Sequence, residues 1–138
     1  MKGLHMYTPP SARASAAAYR QVGVDSQVLS ASPHGLIGLL FNELLVCLQG
    51  AATAIERRDV ATKVRLMAKA SRLIDEGLMS SLDVQAGGEV AANLQQLYAY
   101  CLLRLAQANA ANDAAQVRDV QALLEPVIDG WRQIGGRA

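Results

Sequence analysis

Histidine is nearly missing from this sequence of 138 residues: only His5 and His34 occur. Neither stands in a Glu-x-x-His or His-x-x-x-His spacing, so the inward ligand set of a bundle metal site is lacking. Cysteine is equally sparse. Cys47 and Cys101 each sit in an apolar helical context, where a free thiol behaves as a small buried hydrophobe. That usage excludes a disulfide framework and suits a reducing, cytoplasmic setting. No phosphate loop is present, because Gly87-Gly88 is not followed by Lys-Ser or Lys-Thr. No Ser-His-Asp spacing suggests nucleophilic catalysis, and no cofactor motif remains. Charge of one sign is lacking too: 13 basic and 12 acidic side chains leave a net +1. Nothing in that total favours nucleic acid or an anionic membrane as partner. The apolar run Leu36–Leu48 falls short of the roughly 20 residues of a membrane span and contains Glu43. The opening MKGLHMYTPP has no continuous apolar core of a signal peptide, so membrane insertion is not expected.

What is present is helical periodicity. Apolar residues make up 51% and charged ones 18%, a folded composition in a chain of single-domain length. Ser32-Pro33 reads as a helix start, with a capping hydroxyl and a proline at the first helical position. Helix one is expected from Pro33 to about Asp59, apolar around its circumference and therefore central, with Phe41 and Leu44 in the core. Helix two is expected over Val60–Leu82, with an inner stripe of Val60, Val64, Met67, Ser71, Ile74, Leu78 and Leu82. Arg65, Lys69, Arg72 and Glu76 form its wet face. After the break at Gly87-Gly88, helix three runs to about Asn112 on Val90, Leu94, Leu97, Cys101 and Ala108. Asn112-Asp113 is a tight turn with a cap, and helix four follows to about Gln133, interrupted by Pro126 and Gly130. A kink near Ala122–Glu125 is the expected response to the proline. Short links between long helices favour antiparallel neighbours. The fold class is thus all-α: an antiparallel up-and-down four-helix bundle with a short N-terminal helical or extended cap segment. Residues 1–31 form the leader and cap, 32–134 the bundle and 135–138 a short tail.

Helices two and three carry wider apolar faces than one core seam requires. Leu66, Leu73, Tyr98, Leu102 and Leu105 are the surplus, and a surplus of this kind reads as a groove for a protein partner. The alternative is that the neighbouring helices cover these edges. Tyr19 and Val22, in the stretch AYRQVGVDSQVLS, are the candidates for a tethered cover over such a groove. A different class of function rests on His34, since histidine phosphotransfer modules are helical bundles of about this size. His34, however, follows Ser-Pro at a helix start rather than standing exposed in mid-helix.

Read as an ordered string, the chain resembles a known family. Met6-Tyr7-Thr8, Ala18-Tyr19-Arg20-Gln21-Val22 and Val28-Leu29-Ser30-Ala31-Ser32-Pro33-His34-Gly35-Leu36-Ile37 open it. Leu73-Ile74-Asp75-Glu76-Gly77-Leu78 and Gly87-Gly88-Glu89-Val90-Ala91-Ala92-Asn93-Leu94 continue it, and Trp131-Arg132-Gln133-Ile134 closes it. Together they resemble the flagellin export chaperones, the FliS family. The resemblance implies an all-helical, non-catalytic cytoplasmic chaperone without an ATP cycle. Its implied partners are the disordered C-terminal segment of flagellin and the flagellar export gate, with room for other flagellar regulators and for a homodimer. The sequence departs from the family pattern in residues 1–5, which precede the usual Met-Tyr-Thr start, in Pro126 and Gly130, and in the nearly absent polar tail.

Overall fold

The computed structural model describes residues 32–137. Helix α1 spans Pro33–Glu56, α2 spans Val60–Arg72 and continues as a π-helical segment over Leu73–Met79, α3 spans Val84–Ala111 and α4 spans Ala114–Arg137. No strand occurs among the described residues. Each helix begins on a side-chain cap. The Ser32 hydroxyl accepts from the Gly35 amide at 3.0 Å, the Asp59 carboxylate from Thr62 at 3.2 Å and the Asp83 carboxylate from Ala86 at 3.0 Å. Asp113 accepts from the Ala115 and Gln116 amides, and the Gln116 side chain donates back to it at 3.0 Å. These bonds satisfy amide groups that a helix start leaves without partners. Hydrogen bonding from Thr62 and Gln116 holds the Asp59 and Asp113 carboxyls below their usual range.

The helices close into a ring, and each neighbouring pair is antiparallel. At least one polar clasp marks each seam. Glu43 pairs with Lys69 at 2.8 Å across α1 and α2. The Lys63 ammonium donates to the Asn109 carbonyl and the Asn112 side chain across α2 and α3. Arg104 pairs with Asp119 at 3.0 Å across α3 and α4, and Arg118 grips Glu56 with two bonds of 2.8 and 2.9 Å across α4 and α1. Exposed pairs of this kind add little stability each. Their positions nonetheless record the register between helices.

The core runs along α1: Leu36, Leu40, Phe41, Leu44, Cys47, Leu48, Ala51 and Ala52 are all buried. Met67, Leu73, Ile74 and Leu78 meet them from α2 and the π segment, Tyr98, Cys101 and Leu105 from α3, and Val117, Val120, Leu124 and Ile128 from α4. Helix α1 is not covered on all sides, however. Asn42, Val46 and Gln49 form a narrow outer strip, with Val46 64% exposed. A helix in a four-membered ring touches two neighbours and the core, and keeps a fourth side wet. At 24 residues α1 is also longer than its apolar run, and by length and composition alone it would span a membrane. In this fold its largest side chains have an interior of their own instead.

Further expectations change in each of the other three helices. The second helix is not α-helical throughout. Over Leu73–Met79 the pattern widens to π, and adjacent residues Leu73 with Ile74, and Gly77 with Leu78, all turn inward. Hydroxyls of Ser80 and Ser81 bond the Glu76 and Gly77 carbonyls at the end of the segment. A Cβ at Gly77 would stand 3.0 Å from a Leu40 methyl, so glycine lets the segment close onto α1. The inner face of α2 begins at Lys63 and Met67, while Val60 and Val64 are 65% and 53% exposed. On α3 Cys101 and Ala108 are inside as expected, but Ala91, Tyr98 and Leu105 join them, while Leu94 and Leu97 are half-buried and Val90 is 69% exposed. The expected break does fall at Gly88, whose φ of 56° and ψ of −133° suit only glycine, but a helical turn from Val84 precedes it. Helix α4 continues through Pro126, which is exposed, to Arg137, beyond the expected end at Gln133 and into residues assigned to a tail. On an exposed face, water can satisfy the carbonyl that the proline leaves without its intrahelical donor.

Replacing Phe41 or Leu44 by alanine should cost about 2–5 kcal/mol in urea denaturation, whereas Val46→Ala should stay within about 0.5 kcal/mol. Equal costs at the three sites would contradict the arrangement of α1. Burial also pushes the Cys101 thiol from its ordinary 9.0 up to about 11, and burial together with Glu43 raises Cys47. A thiol that holds its proton more tightly when folded contributes stability that is whole below pH 9 and is lost as pH rises toward about 11. The melting temperature of the native protein should therefore fall more steeply between those pH values than that of Cys101→Ala. Parallel slopes would show the thiol to be solvated.

Candidate functional site

At the end of the ring where α1 starts, four elements fail to meet completely. The first turns of α1 supply Ile37 and Phe41. The end of the π segment and the following turn supply Leu78, Ser81 and Leu82. Helix α3 supplies Leu94 and Tyr98, and the last turns of α4 supply Val127 and Trp131. The cleft between them has a volume of about 70 Å³, and Ser81 is its one hydroxyl-bearing aliphatic residue. It lies beside two interruptions of the helices, the Ser80–Asp83 turn and the non-helical Gly88.

Trp131 organises the rim. Its indole N–H donates to the His34 carbonyl at 3.1 Å, and its ring stacks on the His34 imidazole with centroids 4.4 Å apart and planes within 4°. Phe41 meets its edge at 6.3 Å. Beyond the indole lies a second hollow of about 310 Å³, where Asn42 bonds Arg132 and His34 faces Gly135. A Cβ at Gly135 would come within 2.3 Å of the His34 ring. His34 is therefore a packed partner of Trp131 at a helix start. It lacks the exposed mid-helix setting of a phosphotransfer histidine, and that alternative is set aside.

The five residues expected to border a groove do not lie together. Leu73 and Leu105 are 0% and 1% exposed and belong to the core, because the inward turn of the π segment and the inner stripe of α3 consume them. Tyr98 is also buried, at 2%, but lines the cleft, and burial raises its phenol pKa. Leu102 is half-buried beside it on α3. Leu66 lies elsewhere, on the seam with α1, where its methyl group is against Gly50. Tyr19 and Val22 fall outside the described residues. Among the cleft residues missed by sequence reasoning are Ile37, Leu82, Leu94, Val127 and Trp131. All are apolar at helical spacing, and periodicity assigns such residues to a core. The available signal was the pair of chain breaks, at Ser80–Asp83 and Gly88, that lie beside the cleft.

No catalytic constellation accompanies the cleft. Among the described residues there is no group of three or more His, Cys, Asp or Glu side chains placed to hold a metal ion. Burial of both cysteines and their raised pKa values make them poor nucleophiles. The arrangement offers apolar contact and nothing to drive a reaction.

Comparison with known proteins agrees with this geometry. The family described as flagellar protein FliS matches residues 15–138. The chain is 43% identical over 133 residues to the flagellar secretion chaperone FliS of Salmonella typhimurium, covering 96% of each chain. It is 43% identical over 113 residues to the flagellar secretion chaperone FliSB of Pseudomonas aeruginosa, covering 82% of this chain and 89% of that one. With the FliS of Bacillus subtilis it shares 31% identity over 116 residues, covering 84% of this chain and 82% of that one. Matched by the family along nearly its whole length, and by a relative 43% identical over 96% of it, the chain belongs to the FliS family of flagellar secretion chaperones.

Proposed function

We propose that the protein binds the C-terminal segment of flagellin in the cytoplasm, keeps it from polymerising early and presents it to the flagellar export gate. The observation that carries this reading is the apolar cleft between Ile37, Leu82, Leu94, Tyr98 and Trp131. An unfolded segment that assembles through apolar stripes can order itself on such a surface. Burial offsets the ordering cost at about 25 cal/mol per Å². Occupying the stripes that flagellin uses for assembly blocks assembly by competition, and no nucleotide is needed. Tyr98 and Leu102 border the bound segment, while Leu73 and Leu105 stay in the core and do not touch it. Leu66, on the α1 seam, plays no part in this version of the groove.

Leu82→Asp and Leu102→Asp should each weaken flagellin binding about tenfold or more, with helicity retained and with His34→Gln as a control that binds normally. Flagellin lacking its C-terminal segment should fail to co-purify. Equal recovery of intact and truncated flagellin would remove the basis of the proposal.

The chain enters α1 at Ser32, about one helical turn before Ile37. We propose that Tyr19 and Val22, which precede that entry, cover the cleft until flagellin displaces them. One tyrosine and one valine contribute only a few kcal/mol, less the cost of ordering their segment. A longer partner can overcome that. Tyr19→Ala should raise apolar-dye binding by the free protein without abolishing the flagellin complex. Residues 14–24 should change hydrogen-exchange protection when flagellin binds. Unchanged dye binding and unchanged exchange together would rule the cover out.

A further inference from the structure

The net charge of +1 conceals a division along the chain. Six basic side chains and one acid lie between Arg57 and Arg72, whereas eight acids and two bases lie between Leu73 and Trp131. The one acid, Asp59, is occupied in capping α2. Two of the six bases also have tasks, since Lys63 reaches the end of α3 and Lys69 pairs with Glu43. Arg57, Arg58 and Arg65 are exposed and form no salt bridge to a carboxylate among the described residues. Between them on the outer face of α2 run Val60, Val64 and Ala68, spaced by four, with the valines 65% and 53% exposed. At the start of this face opens a hollow of about 430 Å³, bounded by Ile55, Arg58, Val60 and Asn112.

We propose that this face of α2 docks an acidic amphipathic helix of a partner protein. A row of apolar residues on that helix would lie over Val60, Val64 and Ala68, where the small alanine allows close approach of the two backbones. Carboxylates on either side of the row would meet Arg57 and Arg58 at one end and Arg65 along the edge, in the bidentate geometry that guanidinium groups favour. One larger side chain would anchor in the hollow. Nucleic acid fits less well, because an alternation of valine and alanine offers phosphates and bases nothing between three arginines. A membrane fits less well because the face lacks the Trp, Phe and Leu of interfacial helices. A second copy, docking its acidic side here, would make a head-to-tail contact that does not close unless the geometry forms a ring. The face starts at the end of the bundle opposite the Ile37–Trp131 cleft, so both sites can be filled together.

The test uses the full chain and a synthetic helix of about 18 residues, with a Leu/Ala row flanked by glutamates, and reads fluorescence anisotropy. The peptide should bind, more weakly as salt rises, and its twin flanked by lysines should not. The double variant Arg58→Glu/Arg65→Glu and the single variant Val64→Asp should each lower affinity about tenfold while leaving the melting temperature nearly unchanged, as exposed sites do. Undiminished binding by both variants, or equal binding of the lysine twin, overturns the proposal. So does tighter binding of a short DNA duplex or of phosphatidylserine vesicles that the double variant abolishes. Sedimentation showing self-association lost in that variant would also overturn it, by giving the face to a second copy.

Discussion

The apolar column along α1 is the constraint on which the other helices depend. Leu40, Phe41, Leu44 and Leu48 are almost completely removed from water, and each neighbour offers its own inner stripe to them. A helix this apolar has no stable existence alone in water, so α2, α3 and α4 are arranged as its solvent. The polar clasps at the seams follow from that arrangement. Lys69, Lys63, Arg104 and Arg118 sit where the helices already meet, and they fix which turn lies beside which. Burial supplies the driving force, and the charges select one register among several that burial would tolerate.

Much of this was legible in the residues. Ser32-Pro33 announces a helix start because a hydroxyl and a ring lacking an N–H suit that position, and Asn112-Asp113 announces a turn for comparable reasons. Asn112 takes the left-handed conformation that ends α3, and Asp113 opens α4. Less legible was the facing of each helix. On α3, Val90 and Ala91 compete for the same inner position, and hydrophobicity favours the valine that turns out to be exposed. The smaller residue is the one inside, with Ala91 5% and Val90 69% exposed. Lys63 misleads in the same way. A lysine reads as surface, but the carbonyl end of α3 is a place where an ammonium can be buried with partners. The π segment leaves no periodic signature distinct from an α-helix over seven residues.

The site was legible in kind more than in place. A surplus of apolar side chains on α2 and α3 pointed to a partner, and the fold spends most of that surplus internally. Leu73 and Leu105 show why: a stripe wider than one seam is what a helix needs when it faces both a neighbour and the core. What remains open lies beside the interruptions at Ser80–Asp83 and Gly88.

The stacking of Trp131 on His34 has a consequence for observation. Trp131 is the single tryptophan of the chain, and it touches the beginning of α1 while lying in the last turns of α4. Indole emission therefore comes from one place, at the rim of the cleft. The molecule thus has a built-in optical probe at the point where its first and last helices close.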